Sequence, residues 1–219
     1  MGLSLNRRHF SALGLWAALT GSCLAQTAPT AAPLAPTVLV LGDSLSAEYG
    51  LKRGSGWVAL MEQRFAKEKI AAKVVNASIS GDTTSGGRSR LPSLLTQHRP
   101  KWVVIELGGN DALRGLPLGM TQDNLSAMTQ SAQAMGAKVL IAGMQVPPNY
   151  GQDYSEKFAA TFATVAKTHK AGLVPFLLKG IADVPDALRW FQADRIHPLE
   201  AAHPVILDTM WPAVRKMMQ

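Results

Sequence analysis

Five short apolar runs, each followed by a stretch of helical or turn character, limit what this chain can fold into. The runs are Thr37 to Leu41, Lys73 to Ala77, Lys101 to Leu107, Ala137 to Gly143 and Gly172 to Phe176. They are nearly continuous in Val, Ile and Leu and show no polar alternation, the pattern of strands buried on both faces. Between and after them lie helical patterns. Trp57, Leu60, Met61 and Phe65 share one face of a first helix. Ser126 to Met135 closes another before Gly136, a C-cap candidate, and Asp153 to His169 reads as a third. Glu200 to Met217 reads as a last helix that Pro204 and Pro212 must bend or interrupt. Strand–helix alternation of this kind predicts an α/β chain with a parallel sheet of about five strands, helices on both faces and right-handed crossovers. No internal repeat and no second domain is visible.

The predicted domain spans 37–219. Residues 1–25 read as an export signal: a basic head at Asn6-Arg7-Arg8-His9-Phe10, an apolar stretch from Phe10 to Leu19 too short to span a bilayer, and a small residue, Ala25, before Gln26. The paired arginines fit a twin-arginine signal or an ordinary one. A lipoprotein cut before Cys23 fits less well, because Thr20 stands where a larger apolar residue is usual. Residues 26–36, rich in Ala, Pro and Thr, read as a tether. The expected location is periplasmic or secreted, with no stable membrane insertion once the signal is removed.

Cleavage takes away Cys23, the single cysteine. The mature chain then has no disulfide, no thiol nucleophile and no thiolate metal site. Cleavage also lowers the formal charge from +7 to +5, because the leader holds Arg7, Arg8 and no acid. The remaining cations, Lys52, Arg53, Lys67, Lys69, Lys73, Arg88 and Arg90 among them, are scattered and read as a solvated basic face rather than a nucleic-acid groove. A monomer is the favoured state, and no cofactor or metal is called for.

Four short blocks carry the chemistry. Gly42-Asp43-Ser44 follows the first strand. Gly81-Asp82 follows the second, and Gly108-Gly109-Asn110-Asp111 the third. Asp194-Arg195-Ile196-His197 lies near the C-terminus. Alone, each is ambiguous: Gly-Asp-Ser and Gly-Gly-Asn-Asp occur in ordinary turns, and Asp-x-x-His is also a helix start or half a metal site. Together they supply different requirements of acyl transfer. Ser44 is a candidate nucleophile and needs a base, which His197 can be near pH 7. Asp194 can hold the other imidazole proton. The N–H groups of Ser44 and Gly81, with the Asn110 side-chain amide, can receive the oxyanion. In open parallel sheets, ligands bind beyond the carboxyl ends of the strands, so one rule gathers Ser44, Gly81 and Asn110 at one rim. Asp43, Asp82 and Asp111 are expected to brace their turns.

In that order, the blocks resemble those of the SGNH/GDSL hydrolase superfamily, within it the bacterial thioesterase, lysophospholipase and arylesterase group. Leu41 to Ala47, Gly81 to Thr84, Gly108 to Asp111 and Asp194 to Pro198 carry the resemblance. Asn110 to Gly115 and Pro147 to Gly151 extend it, and it covers roughly Thr37 to Gln219. It implies a three-layer α/β/α, flavodoxin-like sandwich and a metal-free hydrolase in which Ser44, Gly81, Asn110 and His197 hold the four signature roles and Asp194 completes a triad. One departure is Arg195, where the family commonly has Gly. The position is expected to tolerate a side chain, which can narrow the entrance or bind an anionic leaving group.

Other motifs fail. The segment Gly81 to Arg88 lacks the Gly-Lys-Ser/Thr of a phosphate loop, and no Gly-x-Ser-x-Gly surrounds Ser44. His98 and His169 are placed near helix C-termini, and His203, six residues past His197, is read as a surface residue, with a place lining the rim as the alternative. Ala112, Leu113, Leu116, Pro117, Met144, Val146, Pro147 and Ile196 are candidates for an apolar substrate wall, with Leu113, Met144, Pro147 and Ile196 as the contacts chosen; packing of the loops is the alternative. With no evident lid, a shallow groove is expected. The leading reading is an exported serine esterase or thioesterase acting on small acyl esters, aryl esters, acyl thioesters or lysophospholipids. The alternatives are a carbohydrate or peptidoglycan O-acetylesterase and a non-catalytic envelope binding protein.

Overall fold

The computed structural model describes residues 35–219. The proposed leader at 1–25 and most of the tether at 26–36 lie outside the described residues. Five parallel strands form one sheet: β1 (Thr37–Gly42), β2 (Lys73–Asn76), β3 (Trp102–Glu106), β4 (Lys138–Ala142) and β5 (Gly172–Val174). Their order is β2-β1-β3-β4-β5, the flavodoxin-like arrangement. The register runs Val38 beside Val74 on one side and beside Trp102 on the other. β1 and β3 are buried throughout except at Thr37, which is why they read as unbroken apolar runs.

The helices are α1 (Trp57–Lys67), α2 (Thr84–His98), α3 (Gly109–Leu113), α4 (Leu118–Ala134), α5 (Gln152–Thr168) and α6 (His203–Met218). α1 packs on α6, while α2, α4 and α5 pack side by side against the other face, giving three layers around the sheet. α1 buries Trp57, Val58, Met61 and Phe65, and α5 buries Phe158, Phe162 and Val165, each a stripe at helical spacing. Trp57, Phe65, Phe158 and Phe162 are among the largest fully buried side chains of the core.

The expected strands are present with ends shifted by one or two residues. The helices differ more. α2 has no clear helical period in the sequence, because Gly86, Gly87 and Pro92 dilute its pattern. It forms because Thr83 caps it, with Oγ1 accepting the Gly86 N–H, and because Asp111 accepts the Thr84 N–H at 2.9 Å. α4 starts eight residues before Ser126. Pro204 interrupts nothing: it falls in the first turn of α6, where a helix has no partner for its N–H. Pro212 lies inside the same continuous helix.

His203 is not a surface residue. It is 2 % exposed, and its Nδ1 accepts the Trp57 N–H at 3.0 Å, satisfying an orphan donor at the start of α1, whose N-cap is Gly56. Arg90 does not belong to a solvated basic face either. It pairs with Asp82 at 2.8 Å and donates to the carbonyls of Ala77 and Gly42, tying together the ends of β1 and β2. Among the described residues, no helix is long and apolar enough to cross a membrane.

Candidate active site

Ser44 lies two residues past β1, in a turn closed by Ala47 N–H on the Asp43 carbonyl at 2.9 Å. The chain can turn so tightly because position 42 is glycine. A Cβ there would sit 2.7 Å from Glu106 Oε2 and 2.8 Å from the Ser46 side chain. The Ser44 hydroxyl faces the imidazole of His197, Oγ to Nε2 at 2.9 Å. On the far side of the ring, Nδ1 meets Asp194 Oδ2 at 2.7 Å. The same carboxylate accepts the N–H groups of Ile196 and His197 through Oδ1, each at 3.0 Å. Asp194 therefore holds its own turn as well as the ring. Its hydrogen bond to His197, helped by those two backbone donors, keeps its pKa down at about 2.

Gly81 and Asn110 line the same pocket as Ser44 and His197. Gly81 has φ +79°, a left-handed conformation that glycine adopts without a Cβ penalty. Its carbonyl accepts from Arg114 Nη2 at 2.8 Å. Asn110 sits in the first turn of α3, just beyond β3, and its Nδ2 donates to Asp43 Oδ2 at 2.9 Å. An amide nitrogen has two hydrogens, so one stays available. Asp43, Asp82 and Asp111 all brace turns as expected. Asp43 also accepts the Leu45 N–H, Asp82 accepts that of Thr83, and Asp111 joins the starts of α2 and α3 through Thr84.

Two buried carboxyls underlie the turn that carries Ser44. Glu106, 2 % exposed at the end of β3, accepts the Ser46 hydroxyl at 2.7 Å and the Asp43 N–H at 3.3 Å. Ser46 in turn accepts the Trp57 indole N–H at 3.2 Å. Burial pushes Asp43 up to about 6 and Glu106 well above the usual carboxylate range, and the neighbouring Asp43 charge raises Glu106 further. The sequence offered no sign of Glu106, which reads as one polar residue ending an apolar strand.

The pocket, about 810 Å³, is larger and better walled than the shallow groove expected from sequence. Leu113, Met144, Val146, Pro147 and Ile196 line it; Ala112, Leu116 and Pro117 do not. Ala112 is buried in the core instead. The opposite wall comes from the segment after β5: Phe176, Leu178, Ala182, Ala187, Leu188 and Phe191. That segment has no long regular element, only a short 3₁₀ turn at Ala187–Trp190, so periodicity could not reveal it. Tyr49 was also missed; its ring centroid lies 4.2 Å from that of His197. Arg195 lies on the rim with φ +61°, so the position costs a side chain backbone strain rather than accepting one freely. Among the described residues, no group of three or more His, Cys, Asp or Glu is placed to hold a metal ion.

Known proteins resemble this chain in sequence and in fold. Residues 40–205 match the family described as GDSL-like lipase/acylhydrolase. The chain is 49 % identical over 202 residues to a Pseudomonas aeruginosa protein named esterase TesA, covering 92 % of this chain and 99 % of that one. It is 42 % identical over 179 residues to the Escherichia coli thioesterase 1/protease 1/lysophospholipase L1, covering 82 % and 83 %. It also superposes on the crystal structure of a psychrotrophic esterase EstA from Pseudoalteromonas, inhibited by monoethylphosphonate, with a TM-score of 0.77, 40 % identity and coverage of 83 % and 98 %. With the four blocks in order, the parallel sheet arranged as expected and a match over most of its length, the chain belongs to the GDSL-like lipase/acylhydrolase family of enzymes.

Proposed function

We propose that this chain is an exported serine esterase and thioesterase that hydrolyses acyl esters through Ser44, His197 and Asp194. The observation that carries this reading is the unbroken line of contacts from Ser44 Oγ through the imidazole to Asp194, at 2.9 and 2.7 Å. With Nδ1 protonated and held by Asp194, Nε2 is the ring atom that takes the serine proton. Oγ attacks the carbonyl carbon, and the carbonyl oxygen becomes an oxyanion facing the N–H groups of Ser44 and Gly81 and the free amide hydrogen of Asn110. Collapse breaks the bond to the leaving oxygen or sulfur, which leaves with the proton from His197. Water then attacks the acyl-serine carbonyl and gives its proton to the same nitrogen; collapse breaks the bond to Ser44 Oγ, which takes that proton back, and the acid departs.

The apolar pocket wall supports an acyl or aryl group over the small polar environment that an acetylated sugar would need. The names of the relatives, an esterase and a thioesterase/lysophospholipase, support the same choice. Export rests on the leader sequence. The mature protein is then expected to begin at Gln26, and mass spectrometry of a periplasmic fraction tests this; a lipid on Cys23 would overturn it.

The decisive experiment is turnover on esters and thioesters of graded acyl length. Ser44→Ala is expected to fold and to lose roughly 10⁴–10⁶-fold in kcat. A serine-directed phosphonate should label Ser44. Labelling of Ser46, or wild-type turnover by the Ala variant, would overturn the assignment. His197→Ala should cost about as much as Ser44→Ala, and Asp194→Asn less.

A further inference from the structure

The turn that carries His197 is pinned on several sides. Gln192 O accepts the Arg195 N–H at 2.9 Å, and His197 O accepts the Gln192 N–H at 2.8 Å. Phe191 and Pro198 form an antiparallel bridge at its base. Arg195 is held in this frame at φ +61°, where glycine would be unstrained. Backbone strain of this sort persists where the surrounding structure over-determines it, and it concentrates at functional sites.

The side chain has work available. Among the described residues, Arg195 is the only lysine or arginine lining the pocket that holds Ser44. Its guanidinium has no hydrogen-bond or ion-pair partner there. The acids that line the pocket are already engaged, Asp43 with Asn110 and Asp183 with the Gly180 N–H, and so is the adjacent Asp194, with His197. An unpaired cation thus stands one residue from Asp194 and two from the base.

We propose that Arg195 forms a leaving-group subsite, its guanidinium binding a phosphate or carboxylate carried by the alcohol or thiol half of the substrate. This rests on the esterase reading above. The leaving atom must take its proton from His197 Nε2, so the leaving group passes beside the turn that carries Arg195. The acyl half occupies the apolar wall formed by Leu113, Met144 and Leu188. A guanidinium presents a planar fork of donors that matches the oxygens of a phosphate or carboxylate. Selectivity follows: esters with an anion a few bonds beyond the scissile oxygen are favoured over neutral ones of the same acyl length.

The test compares octanoyl esters of glycerol 3-phosphate, glycolate and glycerol. The wild type should favour one or both anionic esters over the neutral one by about fivefold in kcat/KM, mainly through KM, and added salt should erode the preference. The two anionic arms distinguish phosphate from carboxylate. Arg195→Gln, which keeps the backbone strain and removes the charge, should bring the ratio close to one. Arg195→Lys should retain most of it. A ratio unchanged in Arg195→Gln, or no preference in the wild type, overturns the subsite. Calorimetric binding of the octyl ether of glycerol 3-phosphate against that of glycerol gives the same comparison without turnover. A preference there with no hydrolysis of any ester would sink the esterase reading and leave the subsite standing; equal binding of the two ethers would sink the subsite.

Discussion

Asp43 and Asn110, 67 residues apart in the chain, are joined by one hydrogen bond: the Asn110 amide donates to Asp43 Oδ2 at 2.9 Å. The residue before the proposed nucleophile thereby fixes which way the amide faces. With its oxygen turned away from Asp43, the amide keeps its second hydrogen for the pocket. Asp43→Ala is expected to lower kcat by about 10- to 100-fold through misplacement of that donor, with KM little changed. Asp43→Asn, which still offers an oxygen, should cost less. Asp43→Ala combined with Asn110→Ala should be no worse than Asn110→Ala alone. Independent, multiplying losses in the double variant would show that Asp43 acts some other way.

Asn110→Ala removes a proposed oxyanion donor while leaving the proposed nucleophile and base in place. Turnover should fall by roughly 10²–10³-fold at nearly constant KM. Phosphonate labelling of Ser44 should continue, more slowly. Asn110→Asp should be worse than Ala, because a carboxylate repels the developing charge. A raised KM with turnover spared would make Asn110 a loop brace, and the oxyanion hole would reduce to the Ser44 and Gly81 N–H groups.

His203 links α6 to the start of α1, and burial lowers its pKa below the usual histidine value. The folded protein therefore favours the neutral ring. Its contribution to stability is complete above about 6.5 and is lost as pH falls through the depressed folded value. Asp43 and Glu106 act with the opposite sign: burial raises both, so their contribution is present at low pH and is lost as pH rises, for Asp43 through about 6. Denaturant midpoints at pH 5 and pH 8 separate the two. His203→Gln should flatten the loss at acid pH. Glu106→Gln should stabilise the protein at pH 8 relative to wild type, and less at pH 5. Identical pH dependence in all three proteins would mean that neither site is linked to folding.

Arg195→Gly should raise stability by about 1 kcal/mol, because the φ of +61° strains an arginine and not a glycine. Thermal unfolding should show this as a midpoint a few degrees higher. A lower midpoint would mean that the arginine side chain contributes packing or charge interactions that outweigh the strain.

Much of this protein was written locally. The runs ending at Leu41, Leu107 and Gly143 are strands because near-continuous β-branched and apolar residues can only be buried on both faces of a parallel sheet, while the run ending at Ala77 forms an edge strand, β2, that is only half-buried. Ser44, Gly81 and Asn110 follow such strands, so the chain itself directs them to one edge. Asp194 and His197 share a turn and needed no long-range contact to meet. What the tertiary structure alone decided depends on residues far apart in sequence. Asp43 meets Asn110 and Glu106 only because β1 and β3 are neighbours at the point where the strand order reverses. His203 became a buried helix cap because α6 packs on α1, a contact that no period in either helix announces. The pocket's second wall comes from an irregular segment, and irregular backbone has no periodicity to read, so its shape is fixed by packing alone.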